Sequence, residues 1–221
     1  MMHRPISLSD SVPAHSCRTV SATDPAASDG IDHPPLARAA VEWVEPTALT
    51  PAQIAEWRAL AARTGDANVF ADPWMVRAGI DHCQEGQSAT IAFVRNRAGQ
   101  LIGVAPLVAA RGFGRAPVRV TLAWSHPNSF LTTLLIADGQ ACAFWLRLVP
   151  AIADGPLGAP ILCCDGLPEG GALHLGLMEA GRQLGLPLSI EGSVTRAMLA
   201  TQMDPDAYWD ESVRAKKRKE L

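Results

Sequence analysis

The chain predicts an α/β fold, a mixed and partly antiparallel sheet flanked by helices. Three features carry that expectation. Two helix starts with cap chemistry, Thr50-Pro51 and Asp72-Pro73, stand before the first β-rich run. A hairpin signature, two β-rich runs around a Gly-containing turn, occupies 89–108. After it, strand-like and helix-like patterns alternate.

Composition narrows the function classes. At 221 residues there is room for one ordinary domain, or one and a half. Apolar residues make up 48%, enough for a true core. A formal net charge of −3 argues against nucleic acid as a partner. No apolar run reaches the roughly 18–20 residues that span a bilayer. The longest, 141–153, is interrupted by Arg147 and Pro150. The N-terminus shows no signal-peptide core, so a cytoplasmic location without a membrane span is expected. Cys17, Cys83, Cys142, Cys163 and Cys164 show no C-x-x-C spacing and read as reduced, mostly buried thiols.

The elements follow in order. Residues 1–40 are rich in Ser, Ala, Pro, Asp and His and read as a disordered leader, since they cannot bury enough surface to offset chain entropy. The folded domain is expected over 41–203, opening with the strand Val41–Val44. Thr50-Pro51-Ala52-Gln53 is a capping box, and Ile54, Trp57, Leu60 and Ala61 recur at helical spacing, with Gly65 as the stop. Asp72-Pro73 starts a short second helix with apolar positions at 75, 76 and 80. Runs 89–95 and 100–108 form the hairpin, 118–124 a third strand and 132–136 a fourth. A helix is expected from about 140 to 153, with a kink or an earlier end at Pro150. A buried strand at 159–164 and a helix at 171–184 come next. Residues 187–190 and 196–200 read as short closing strands.

The last segment, 204–221, opens with Asp204-Pro205 and has no Gly, Pro or C-cap before Leu221. It predicts a basic helix without a stop signal, which either frays into solvent or serves as a connector into something further. Arg214, Lys216, Lys217, Arg218 and Lys219 carry two readings. They can contact phosphate on nucleic acid, lipid or coenzyme, or they form a solvated helix end whose cations complement the dipole. The solvated end is favoured.

Other constellations are thin. Ser125-His126 with Asp138 lacks a G-x-S-x-G elbow. Asp81-His82-Cys83 has no second cluster to complete a metal site, so no metal is expected. His174 sits on an amphipathic helix as a boundary residue. Trp74, Trp124 and Trp145 read as core or groove-wall aromatics.

Phe70-Ala-Asp-Pro-Trp-Met75, the return strand Leu101-Ile-Gly-Val-Ala-Pro-Leu107, and the tail Trp209, Ser212 and Lys216-Lys-Arg-Lys-Glu-Leu221 resemble the GNAT-superfamily acyltransferases of the cellulose-biosynthesis CelD type. That family is related in plan to the Fem aminoacyl transferases. The resemblance runs from about Val41 to Leu221 and implies a GNAT-like domain. It implies a second GNAT-like half, in cis or trans, joined through the basic helix and holding acyl-CoA. The implied reaction is acyl transfer from acyl-CoA, a co-substrate with no permanently bound cofactor, to an amine or hydroxyl. No residue is identified as the catalytic base. Arg111, Gly112, Gly114 and Ala116 fit the superfamily's pyrophosphate pattern, R-x-x-G-x-A. Such a loop must lead into a helix, and Pro117 with 118–122 reads as a strand, so a strand connection is the favoured reading. The isolated chain stays open between an acyltransferase and a non-catalytic module that binds a substrate or partner.

Overall fold

The computed structural model describes residues 41–64, 68–83, 89–113, 116–126, 129–195 and 203–212. The leader, the Gly65 stop, the strand expected at 196–200 and the basic residues 214–219 lie outside them. Contacts divide the chain into two units, Met1–Pro187 and Leu188–Leu221.

The first unit is the expected α/β layer structure. Six strands, β1 (Val41–Val44), β2 (Ala89–Arg95), β3 (Leu101–Phe113), β4 (Ala116–Ala123), β5 (Leu135–Ile136) and β6 (Ile161–Cys163), form one mixed sheet. Its order is β1-β2-β3-β4-β6, with β5 also paired to β3. Every described pairing is antiparallel except that of β4 with β6, which are joined by α3 (Ala141–Asp154). Helices α1 (Pro51–Ala61), α2 (Pro73–Cys83) and α4 (Ala172–Leu184) complete the layers.

Local chemistry accounts for the turns. Thr50 Oγ1 accepts from Gln53 N at 3.2 Å and Gln53 Oε1 accepts from Thr50 N at 2.9 Å, the reciprocal capping box. Asn96 Oδ1 accepts from Ala98 N and Gln100 N, closing the first hairpin through an Asx turn.

Strand alternation then divides the core in two. Ala92, Val94, Ala105, Leu107 and Ala123 pack with Phe144, Trp145, Leu148 and Ile152 of α3 and Ala180 of α4. Ile91, Phe93, Val104 and Val108 pack with Trp57 and Leu60 of α1 and Val76 and Ile80 of α2. Trp57 spends its indole N–H on Ala71 O, and Trp145 on Leu173 O, so neither buried ring strands a donor.

Several expectations need correction. The described thiols are not mostly buried, since Cys83 is exposed and Cys142, Cys163 and Cys164 are half-buried, and Trp74 is exposed rather than in the core. β3 runs on to Phe113 rather than stopping near 108, because β4 pairs with its extension. The fourth strand shortens to Leu135–Ile136, since Thr132 and Thr133 spend their groups on loop contacts. Helix α3 continues through Pro150 to Asp154; Ala151 and Ile152 beyond it are buried, and their packing offsets the lost hydrogen bond. Residues 187–190 form no strand: Leu188 and Ile190 are exposed, and alternation alone cannot supply a ladder partner.

In the second unit, 188–195 is irregular and α5 (Pro205–Ser212) is helical. Asp204 caps it as expected, Oδ1 accepting from Asp206 N and Ala207 N at 3.0 Å each.

Candidate functional site

Strands β4 and β5 lie on the same edge of β3 and run in the same direction. Ala123 pairs with Leu107, Trp124 N donates to Pro106 O at 2.9 Å, and Leu135 pairs with Val104. The chain therefore leaves the sheet after Trp124 and re-enters it at Leu135, beside the point where it left. Pro106 sits at the hand-over. An extended residue turns its N–H and C=O to the same edge, so the missing donor of Pro106 faces Trp124, whose carbonyl accepts from the Thr133 hydroxyl instead.

The loop is tied at its root. The Thr133 hydroxyl donates to Trp124 O, and Thr132 Oγ1 accepts from Leu134 N at 3.3 Å. Asn68 Nδ2 donates to Thr132 O at 2.7 Å while Asn68 Oδ1 accepts from Phe70 N at 3.1 Å. On the β6 side Thr132 N donates to Gly166 O at 3.1 Å. Gly166 has φ 69°, and a Cβ there would lie 2.8 Å from Thr132 N, so glycine is required on both counts. The loop thus bridges the continuations of the parallel pair, Trp124 after β4 and Gly166 after β6. Phe130 packs edge-on against Phe70, ring centroids 5.7 Å apart, yet stays 61% exposed. Trp124 and His126 pack with centroids 5.6 Å apart, and Gly79 of α2 leaves room for both rings.

Beside the root lies a surface pocket of about 250 Å³, lined by Ala61, Thr64, Asn68, Val69, Asp72 and Leu135. The end of α1, the 3₁₀ turn Val69–Ala71, the start of α2 and β5 all contribute to it. Thr64 Oγ1 donates to Ala61 O at 3.0 Å, and both ends of the Asn68 amide are engaged. The Asp72 carboxylate makes no hydrogen bond or ion pair to a described residue.

Other charged and nucleophilic groups are structural. Arg95 binds Glu56 through both terminal nitrogens, at 2.6 and 2.8 Å, tying β2 to α1. The Arg95 hydrogen bond holds the Glu56 carboxyl below the usual carboxylate range against the opposing effect of burial. Burial, with Cys163 and Asp165 nearby, pushes the Cys164 thiol up to about 12, which makes it a poor nucleophile at neutral pH. Among the described residues no group of three or more His, Cys, Asp or Glu could hold a metal ion. No described helix is long and apolar enough to cross a membrane.

The sequence-selected residues fall elsewhere. Arg111 and Gly112 lie exposed at the far end of β3, and Ala116 opens β4, paired with Phe113. Gly114 lies outside the described residues. This segment enters a strand, and it sits at the opposite end of β4 from the 125–134 loop. Arg214, Lys216, Lys217, Arg218 and Lys219 also lie outside the described residues. The Asn68, Asp72, Thr132 and Thr133 constellation was not legible as a site. Asp72 read as a helix cap and the threonine pair as a strand, and only the tertiary hydrogen bonds distinguish them.

No protein-family model matches this chain, and no curated protein matches it. The arrangement itself offers a small half-polar recess and a well-tied loop at the C-terminal ends of two parallel strands, where α/β sheets commonly place ligands.

Proposed function

We propose that the chain is a GNAT-like acyltransferase half that works with a second GNAT-like fold and uses acyl-CoA as co-substrate. The observation that carries this reading is the element order β1-α1-α2-β2-β3-β4-β5-α3-β6-α4, with one parallel pair among the described residues, β4 with β6, connected through β5 and α3. That order agrees with the resemblance in the Phe70–Met75 and Leu101–Leu107 segments. In the reaction, an amine or hydroxyl of the acceptor attacks the thioester carbonyl. A C–N or C–O bond forms, the C–S bond breaks, and the proton lost by the acceptor ends on the coenzyme thiol. Isothermal titration with acetyl-CoA, paired with a thermal-shift assay, tests it. Saturable heat and a raised melting temperature are expected. Absence of both signals would sink the reading for this chain.

A second reading has its own support. The hydrogen bond from Thr132 N to Gly166 O fills the opening between the continuations of β4 and β6 with the chain's own backbone. With that opening filled, the chain is a non-catalytic module that binds a substrate or partner. Absence of acetyl-CoA binding together with retained ligand recognition would select it.

A further inference from the structure

We propose that residues 186–194 are a donor strand that adds to the outer edge of β6 in a second copy of this chain. The proposal is independent of the acyltransferase reading. Leu186, Leu188, Ile190 and Val194 recur at even spacing, with Gly192 between the last two, which is the period of one strand face. All four are exposed, Ile190 to 70% and Val194 to 78%. Side chains two apart do share a face here. The Ser189 hydroxyl donates to Glu191 Oε1 at 2.7 Å, which marks the opposite, polar face. Residues 188–195 make no backbone hydrogen bond to a described residue. The segment thus has the pattern of a half-buried strand and neither a ladder nor a cover.

The same chain carries a sheet edge that lacks a strand. β6 ends the strand order, with β4 on one side and no described strand on the other. Ile161 and Leu162 are half-buried, and β6 holds neither a charge nor a proline, the devices that keep edges from pairing. Charge is complementary. Glu191 is the only ionic residue in 186–195, and Arg119 is the only one in 116–123 and 157–164, the runs that hold β4 and β6. In the single chain the segment stays out of the sheet, although it follows α4 directly. A second copy offers the same edge, and reciprocal exchange closes the assembly at two. Main-chain pairing would then supply affinity, and the apolar face its burial.

The test is light scattering on the whole chain across a micromolar concentration series, paired with amide hydrogen exchange. A dimer that dissociates on dilution is expected. Exchange should slow with concentration at alternate residues of 186–190 and in β6 at Ile161 or Leu162, the signature of a ladder rather than of apolar contact alone. Ile190→Lys alters an exposed side chain, so the fold is retained. It should weaken dimerisation about tenfold or more, the scale of one apolar side chain withheld from burial. Met178→Lys, on the exposed face of α4, should leave the dimer unchanged. A monomer at every concentration, a dimer that survives Ile190→Lys, or a dimer without slowed exchange in β6 would each overturn the proposal. Loss of the dimer in Met178→Lys would overturn it too, by placing the contact on α4.

Discussion

On one face of the sheet, α3 and α4 close over Ala92, Val94, Leu107 and Ala123 in a dry layer centred on Phe144, Trp145 and Leu148. On the other, α1 and α2 cover Ile91, Phe93, Val104 and Val108 with equally buried Trp57, Leu60 and Val76. The two cores are alike in composition and differ at their margins. The α3–α4 pair makes a tight seam, where Gly176 leaves no room for a side chain against Ala141. Beside the α1–α2 layer, the chain from Asn68 to Asp72 makes polar contacts with a loop and lines an open pocket. A well-filled core is thus compatible with a polar margin, provided the polar groups sit at its edge, where water can reach them.

Substitutions can break this contrast. The largest effect should come from Trp145→Ala, which empties a fully buried site and removes the indole hydrogen bond to Leu173 O. A loss of about 3–5 kcal/mol is expected in urea unfolding, as for other aromatic truncations. Next is Gly176→Ala. Its added methyl would overlap Ala141 and lie 2.9 Å from Cys142 N, and backbone cannot swing aside. A cost of about 1–3 kcal/mol is expected, read in the same experiment.

Asn68→Ala should cost less, roughly 1–2 kcal/mol, by unpairing Thr132 O and Phe70 N where both are only partly buried. Its distinguishing readout is local. Amide exchange should accelerate at 130–134 and stay slow in β2 and β3. Uniform acceleration would mean that the loop and the sheet open together.

The smallest effect is the acid limb of stability. Arg95 depresses the Glu56 pKa in the folded chain, so the folded value lies below the unfolded one. The contribution is therefore complete above the unfolded carboxylate range and is lost as pH falls through the folded value. Because the pair is partly solvated, it should amount to less than about 1 kcal/mol. Arg95→Gln should flatten that part of the stability–pH curve. An unchanged curve would show that the α1–β2 tie contributes nothing measurable.

These contrasts also mark how far the sequence could be read. Thr50-Pro-Ala-Gln53, Asn96–Gly99 and Asp204-Pro205 act through neighbours within a few residues, and each forms the cap or turn its chemistry demands. The parallel pairing of β4 with β6 depends on partners some forty positions apart and on the path of α3, which periodicity does not encode. Pro150 misled for a related reason: local rules count the lost hydrogen bond but not the burial of Ala151 and Ile152. The pocket was hidden more deeply. Asp72-Pro73 looks the same whether its carboxylate caps a helix or lines a recess. Only the folded geometry distinguishes the two.

The collinearity of β4 and β5 along β3 has a consequence for how this protein can change. A loop whose two ends already meet adds little closure entropy when it lengthens, about 0.6 kcal/mol for each doubling. The Trp124–Thr133 clasp and the contacts of Thr132 with Asn68 and Gly166 hold those ends together. Added residues before Thr132 should therefore be tolerated while β3 keeps both partners. The sheet is therefore a mount on which recognition can be rewritten by substitution in one short stretch of gene.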